Sequence, residues 1–214
     1  MDVVLDNLDA YLRGMGTTAS LTALSFTAAL VLGIVMAVFR VSPVAPLRAV
    51  ASAYVGLFRN TPLTVLFILF FFGLTKVGLR YDEFTSAVIV LAVYTGTFVA
   101  ETVRAGINAV SRGQAEAARA LGLTFGQTLR LVVLPQALRT VVAPLGSVLI
   151  ALIKNSSLAS IIGVIDLTGV ADRVNTTTAM PIAAFLGAAA GYVLLAVPTG
   201  LAVGRLERAV AIRR

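Results

Sequence analysis

Long apolar runs separated by short polar segments dominate the sequence and determine its predicted architecture. A helix that spans the hydrocarbon core of a bilayer needs about 20 mostly apolar residues. Five segments meet that length, at residues 17–39, 50–74, 84–103, 141–162 and 181–203. The last of them contains two GxxxG spacings, at 187–191 and 200–204, which favour close helix packing. The pattern therefore predicts an all-α integral membrane protein with five transmembrane helices in a single transmembrane domain, residues 1–214.

The composition agrees with a membrane protein and excludes several kinds of chemistry. Hydrophobic residues make up 58% of the 214 residues and charged residues 13%, whereas soluble domains carry about 25% charged residues. The chain has no cysteine and no histidine, so thiol chemistry is excluded and the commonest general base and metal ligand is missing. No GxxxxGK[ST] motif is present. We therefore expect that the chain is not an enzyme and has no catalytic residue, no ATP site and no metal site.

The distribution of basic residues predicts which side of the membrane each segment occupies. The larger set lies around the first and third predicted loops and at the C-terminus: Arg40, Arg48, Arg59, Arg104, Arg112, Arg119, Arg130, Arg139, Arg205, Arg208, Arg213 and Arg214. The smaller set lies on the other side: Arg13, Lys76, Arg80 and Arg173. Since cytoplasmic loops carry an excess of Lys and Arg, the N-terminus is predicted outside and the C-terminus in the cytoplasm. This asymmetry accounts for the net charge of +7 without nucleic-acid binding.

The longest polar segment, residues 112–139, lies between the third and fourth predicted spans, on the cytoplasmic side. Residues 114–121 form a predicted alanine-rich helix, with Glu116 in its first turn and Gly122 as its stop signal. A second helical stretch follows, and Pro135 interrupts its pattern. Such an ordered loop favours a function, because loops without one are usually short. The alternative is an amphipathic helix that lies on the bilayer surface.

The spacing within this loop resembles a known motif. Six residues match the EAA motif of binding-protein-dependent ABC importer permeases: Glu116, Ala117, Ala118, Gly122, Leu134 and Pro135. The usual isoleucine of that motif is replaced by Val132. The resemblance implies that the loop is a coupling helix, which docks on a separate ATPase subunit. It also implies that ATP and magnesium are bound by that ATPase and not by this chain.

The resemblance covers most of the chain. The segments FRNTPL (58–63), AETVRAGI (100–107) and IKNSSLASIIGV (153–164) look like the polar amino acid permeases. RVSP (40–43) and RNTPLT (59–64) look like the glutamate-transporting permease subunits in particular. This similarity implies a permease subunit of an ATP-driven glutamate importer in the prokaryotic cytoplasmic membrane. Its implied partners are the ATPase, a second permease subunit, either identical or different, and an extracytoplasmic amino acid binding protein.

Polar groups inside the predicted spans are costly in lipid and are candidates for a substrate pathway or gate. One group interrupts the second span: Arg59, Asn60, Thr61 and Pro62. Here Thr61 suits an N-cap and Pro62 the first helical position, and the alternative is a bent helix whose arginine reaches water. The other group lies within the fourth span: Lys154, Asn155, Ser156 and Ser157. Lys154 is expected to line the pathway and pair with a substrate carboxylate, and the alternative is that it caps carbonyls exposed by a helix break.

Two further sets of charged residues lie near the ends of predicted spans. Glu101 and Arg104 are three residues apart and share a helix face. They predict an ion pair, or else a link between the third span and the coupling loop. Asp166, Asp172 and Arg173 are expected in a solvated outer loop, with contact to a binding protein as the alternative.

A different class of function also fits part of the pattern. A self-contained secondary transporter or channel for a small anionic solute would use broken helices such as the predicted second and fourth spans. That alternative leaves the ordered, alanine-rich loop without a function. Five helices are also few for one chain to enclose a solute pathway, so we expect pairs of such chains.

Overall fold

The computed structural model describes residues 2–210, which fold into helices joined by short connections. Two basic residues used to predict the orientation, Arg213 and Arg214, lie outside the described residues. The α-helices in chain order are α1 (Asp2–Asp6), α2 (Leu8–Val41), α3 (Ala45–Arg59), α4 (Leu63–Ile68), α5 (Leu74–Lys76), α6 (Glu83–Ala109), α7 (Arg112–Ala120), α8 (Phe125–Thr128), α9 (Leu134–Asn155), α10 (Leu167–Thr178) and α11 (Pro181–Val210). Two π-helical turns and one 3-10 helix continue these helices: Leu69–Gly73, Leu129–Val133 and Ser156–Ile162.

Four helical segments are long and apolar enough to cross a bilayer, namely Leu8–Val41, Glu83–Ala109, Arg139–Ile162 and Pro181–Ala209. A fifth candidate is a bent pair, in which Ala45–Arg59 and Leu63–Lys76 meet at an angle of 102°. The all-helical membrane fold predicted from the apolar pattern is confirmed. The number of candidate spans is four, or five when the bent pair is counted as one span.

The two ends of the helix bundle carry different elements, and we name them accordingly. At the cap end, α10 packs against the beginnings of α2 and α11. At the loop end, the segment 110–134 leaves α6 and leads into α9, and it packs against the last turns of α2 and α6. The loop predicted as a coupling element is therefore at the opposite end of the bundle from α10.

The centre of the bundle is a close contact between α2 and α6. A Cβ atom on Gly33 would lie 2.5 Å from the Val99 side chain and 2.8 Å from the Gly96 carbonyl oxygen. The phenol of Tyr54 lies beside Gly96 and donates a hydrogen bond of 2.6 Å to the Val93 carbonyl. Because dense packing resists displacement, α6 is held in a fixed position relative to α2 and α3. The polar side chains along its second half consequently have defined neighbours.

At the cap end, the structure corrects the expectation for Asp166. This residue is not in a solvated loop: its side chain is fully buried. It is the N-cap of α10, where its Oδ1 accepts a hydrogen bond of 2.9 Å from the Gly169 amide. Asp172 and Arg173 lie within α10 and are exposed. A short polar residue that precedes a helix is buried here because it satisfies free amides of the first turn.

The two GxxxG spacings of α11 have different environments. A Cβ atom on Gly187 would lie 2.8 Å from the ring of Tyr11, and one on Gly191 would lie 2.7 Å from the Leu167 side chain. The first spacing therefore allows α11 to pack closely against α2 and against α10 within this chain. A Cβ atom on Gly204 would have nothing within 4 Å, so the second spacing makes no such contact among the described residues.

At the loop end, the prediction that Pro135 interrupts the helical pattern is wrong, and the helical path continues through this residue. The π-helical turn Leu129–Val133 joins α8 to α9, and Pro135 lies in the first turn of α9. A proline is tolerated there because the first-turn amides of an α-helix have no carbonyl partner within that helix. Pro144, which follows Pro135 by nine residues, lies inside α9.

Candidate functional site

The helix α7 is bounded by signals that fix its length. Gly122 follows it with a φ of 83°, which is in the left-handed region that favours glycine. The amide of Leu123 then donates to the Ala118 carbonyl at 3.2 Å, a typical closure of a helix C-terminus. Thr124 begins α8 through a capping box with Gln127. The sequence of the loop thus supplies the signals that end α7 and begin α8.

The residues of the predicted coupling motif divide between the two faces of the loop. Ala118 is buried, and α7 packs against the π-helical turn that contains Leu129 and Val133. Glu116 and Ala117 are exposed on the opposite face, and so are Gly122 and Pro135. Leu134 is half-buried. Beside them Leu121 is 83% exposed, which is unusual for a leucine and gives the outward face an apolar projection.

The break between α3 and α4 is stabilised by side chains at the end of α3. The Asn60 amide donates to the Gly56 carbonyl at 2.7 Å, and the Thr61 hydroxyl donates to the Leu57 carbonyl at 2.8 Å. The prediction that Thr61 caps the following helix is therefore wrong. Pro62 occupies the N-cap position of α4. The Thr61 hydroxyl donates to a carbonyl of α3 instead of capping α4. The chain turns sharply here while the last carbonyls of α3 keep partners.

Arg59 at the end of α3 lies over an aromatic ring of α6. Its guanidinium carbon is 5.7 Å from the centre of the Phe98 ring, within the range of cation–π attraction. Phe98 also lines an open cleft of about 220 Å³ between α6 and α9, together with Tyr94 and Asn155. The structure thus places Arg59 of the first polar group against Phe98, while Asn155 of the second group lines the same cleft as Phe98. The described lining of this cleft contains no carboxylate and does not include Arg59.

Glu101 is the centre of a charged cluster near the loop end. One carboxylate oxygen accepts from Arg104 at 2.8 Å, and the other forms an ion pair with Arg40 at the end of α2. All three side chains are largely buried within the chain. Arg40 was not identified from the sequence as a partner of Glu101, because 61 positions separate the two residues. The cluster links α2 to α6, and no ion pair or hydrogen bond joins it to the loop among the described residues.

Lys154 and the serines after it lie where α9 tightens into a 3-10 helix. Ser156 donates to the Ile153 carbonyl and Ser157 to the Lys154 carbonyl, at 2.8 and 2.7 Å. The serines, and not the lysine, therefore satisfy the carbonyls at this change of helix type. The Lys154 side chain is exposed on the surface of the single chain. It does not line the cleft that Asn155 lines.

A buried polar cluster at the cap end was missed by the sequence reasoning. Tyr192 donates to Asp166 Oδ2 at 2.7 Å, and its hydroxyl also lies 3.0 Å from the Thr168 hydroxyl. Burial raises the pKa of the Asp166 carboxyl, while the hydrogen bonds from Gly169 and Tyr192 act in the opposite direction. The N-cap signal of an aspartate before an amphipathic helix could have been read from the sequence. The partnership with Tyr192 could not.

No metal site is formed by the described part of the chain. Within residues 2–210, no three aspartate or glutamate side chains come close enough together to hold an ion.

Comparison with known proteins gives the family. A family model described as "Binding-protein-dependent transport system inner membrane component" matches residues 29–212. A probable glutamine ABC transporter permease protein of Bacillus subtilis is 36% identical over 97% of this chain and 96% of its own length. A glutamate transport system permease protein of Corynebacterium glutamicum is 41% identical over 92% of each chain.

Solved structures give the same result for the fold. The crystal structure of an amino acid ABC transporter with histidines matches with a TM-score of 0.89 and 34% identity, over 96% of both chains. An inward-facing methionine ABC transporter matches with a TM-score of 0.85 and 26% identity, over 97% of this chain and 99% of that one. These comparisons give no support to a self-contained secondary transporter or channel.

Proposed function

Because the chain belongs to the inner membrane components of binding-protein-dependent transport systems, and is the permease subunit of an amino acid ABC importer, we propose that it imports glutamate. Two observations support this substrate. Relatives named for glutamate and glutamine transport align with nearly the whole chain. Phe98, which has the Arg59 guanidinium over its ring, lines a cleft with no carboxylate among its described lining residues, which suits an anionic substrate.

The proposed orientation places the loop end in the cytoplasm and the cap end outside. The arginines at the ends of α2 and α3, in the segment 112–139 and after residue 204 favour this choice through the positive-inside rule. In this orientation the outward face of α7 is available to an ATPase in the cytoplasm. The α10 surface, with Asp172 and Arg173 exposed, is available to an extracytoplasmic binding protein.

The proposed coupling element is the loop 112–139, with Glu116, Ala117 and Gly122 on its docking face. Small side chains and the projecting Leu121 allow a partner groove to close around α7. Ala118 is buried, and Ala115 and Leu134 pack against the apolar cluster that joins the loop to α2 and α6. A movement imposed on the outward face by ATP binding to the partner is therefore passed to α9. ATP and magnesium are bound by the partner ATPase in this proposal.

The proposed pathway lies along the α6–α9 cleft and is completed by a second permease subunit. Phe98 and Asn155 line it within this chain, and the Arg59 guanidinium lies over the Phe98 ring. Lys154, exposed here, faces the second subunit or the pathway in the proposal, since a lone exposed lysine within a span is unfavourable in lipid. Asn60, Thr61, Pro62, Ser156 and Ser157 keep the two backbone transitions in place. A gate built on these transitions would move as rigid helices about the break.

Uptake of labelled glutamate in cells that lack this chain tests the substrate. Uptake is expected to return when the chain is restored from a plasmid, with unlabelled glutamate competing better than glutamine, aspartate or arginine. Restoring the Arg59→Gln variant should lower glutamate uptake, because the cation at the cleft is lost, while Arg80→Gln serves as a matched control in an exposed connection. Uptake that does not depend on the chain, or that arginine inhibits best, would exclude glutamate as the substrate.

A further inference from the structure

A second cleft lies behind the coupling loop, between the loop and the transmembrane helices. Its volume is about 480 Å³, within the range of pockets that bind small molecules. One wall consists of aliphatic side chains from the last turns of α2 and α6, and the other consists of residues of α7, α8 and the π-helical turn. It is separate from the α6–α9 cleft, with which it shares no lining residue.

The polar groups of this loop cleft have unused hydrogen-bonding capacity. Thr128 lines the cleft and is 5% exposed, and its buried hydroxyl has no hydrogen-bond partner in the part of the chain that the structure describes. A buried hydroxyl without a partner is unfavourable, so such a group needs an explanation. Asn108 and Ser111 add an amide and a hydroxyl at the edge.

The charge of the loop cleft is of one sign. Among the described residues that line it, only Arg119 is charged, and the described hydrogen bond of that side chain goes from Nε to the Ala115 carbonyl at 3.4 Å. No described carboxylate is within ion-pair distance of Arg119. A guanidinium beside hydroxyl and amide groups, with an aliphatic wall opposite, fits a carboxylate that carries a short hydrocarbon body.

We propose that the loop cleft is a binding site for a small organic carboxylate, held through Arg119 and Thr128. The ligand would contact the bundle on one side and the loop on the other. It would thereby hold α7 in one position relative to α2 and α6, and so slow any transport cycle that moves them apart. Binding of the carboxylate is independent of the proposed coupling function of the loop. The slowing of the transport cycle rests on that proposed function. The carboxylate is either the imported amino acid that accumulates inside or an unrelated short fatty acid.

The absence of cysteine provides a direct test of binding. In the assembled transporter in lipid nanodiscs, Val110→Cys places the only thiol of this subunit in the wall of the cleft. L-glutamate and hexanoate are added separately, and the rate of maleimide labelling is measured. Labelling is expected to slow at least threefold with one of the two probes, and to remain unchanged for Gln114→Cys, an exposed position on α7 outside the cleft. Protection by glutamate alone identifies the amino acid as the source, and protection by hexanoate alone identifies a fatty acid.

Two further variants assign the contacts. Thr128→Val keeps the shape of the side chain but removes its hydroxyl, and Arg119→Gln removes the cation. Each is expected to abolish protection in the Val110→Cys background, while Arg130→Gln, an arginine outside the cleft, should retain it. Equal labelling rates with and without both probes, or protection that survives Arg119→Gln, would overturn the proposal. Protection together with an unchanged transport rate, when the same carboxylate is inside proteoliposomes, would keep the site and reject the coupling function of the loop.

Discussion

At the cap end, the Asp166 carboxylate accepts hydrogen bonds from Gly169 and Tyr192, and Tyr11 donates to the Ala184 carbonyl at 2.7 Å. Every one of these groups is satisfied within the chain. At the loop end, Leu121 projects from α7 with 83% of its surface exposed, and the buried Thr128 hydroxyl has no described partner. The two ends are built from similar short helices of about ten residues, but only one of them is complete within this chain.

This difference is consistent with the proposed role of the loop as the element that a partner moves. Glycines at the cap end let α2, α10 and α11 approach until a Cβ atom would clash, so the helices have one packing arrangement. At the loop end, α7 ends at Gly122 and packs chiefly against the π-helical turn and α8 of the same loop, with Ala118 buried. A partner that binds the other face can therefore move α7 without first breaking a dense core. The following predictions test that contrast, from the largest expected effect to the smallest.

Asp166→Ala should cause the largest loss of stability. It leaves the Gly169 amide and the Tyr192 hydroxyl buried without their acceptor, and each such group costs about 1–3 kcal/mol. Thermal unfolding of the purified chain in detergent, followed by circular dichroism, measures the loss. The matched control is Asp172→Ala on the same helix, which is exposed and should change stability by less than about 0.5 kcal/mol. Equal effects of the two variants would show that the cap end is not the rigid end.

Glu101→Gln should have the second largest effect. It leaves Arg40 and Arg104 close together without a counter-charge, and losing hydrogen bonds to charged groups costs about 1.5–3 kcal/mol. Glu83→Gln, an exposed position in the first turn of α6, is the control. We expect the melting temperature to fall for Glu101→Gln and to change little for Glu83→Gln. A larger effect than that of Asp166→Ala would place the most important polar cluster nearer the loop end and reverse the contrast.

Neighbouring alanines of α7 separate packing from docking. Ala118→Leu adds bulk to a site that is 4% exposed, and overpacking of this kind costs about 1–3 kcal/mol. Ala117→Leu adds the same bulk to the exposed face and should leave the melting temperature unchanged. Co-purification of the ATPase should be weakened more by Ala117→Leu than by Ala118→Leu, because only Ala117→Leu adds its bulk directly to the proposed docking face. If Ala117→Leu retains the ATPase fully, the outward face of α7 is not the docking surface.

The sequence predicted the apolar architecture well because burial in lipid needs long runs that are visible locally. It placed the first span at 17–39, while α2 runs from Leu8 to Val41 over 34 residues. The missed turns contain Asp9 and Arg13, which form an exposed pair at 3.5 Å. A helix of that length is about 50 Å long, longer than the ~30 Å hydrocarbon core. Polar residues at its end therefore mark where it leaves the membrane, not where it stops.

The candidate sites were predicted only as far as they are local. The loop motif, its stop at Gly122 and the break after Arg59 could all be read from short stretches of sequence. The pairing of Arg40 with Glu101, and of Asp166 with Tyr192, depends on which helices become neighbours. Spacing along the chain carries no information on such contacts. Asp166 was misplaced for this reason: a lone aspartate beside a predicted outer loop is usually solvated, and only Tyr192 and Gly169 make its burial favourable.

The smallest effect is a pH dependence at the cap end, and it follows from the raised pKa of the Asp166 carboxyl. A folded-state pKa above the unfolded value, about 3.9 for aspartate, means that the folded chain binds this proton more tightly. The stabilisation by Asp166 is therefore fully present below the unfolded pKa and is lost as the pH rises through the folded pKa.

Asp166→Asn does not titrate, and it can still accept from Gly169. Its melting temperature relative to the natural chain should consequently rise between pH 4 and 8. Tyr192 of α11 donates to this carboxyl, and the hydroxyls of Thr18 in α2 and Thr168 in α10 lie beside the Tyr192 hydroxyl. None of these three groups ionises in that range at its ordinary pKa. Asp172→Asn measured in parallel should show no such trend. A difference that stays flat for Asp166→Asn would mean that the hydrogen bonds from Gly169 and Tyr192 fully offset the burial, in which case the cap end is even more completely satisfied than the contrast with the loop end requires.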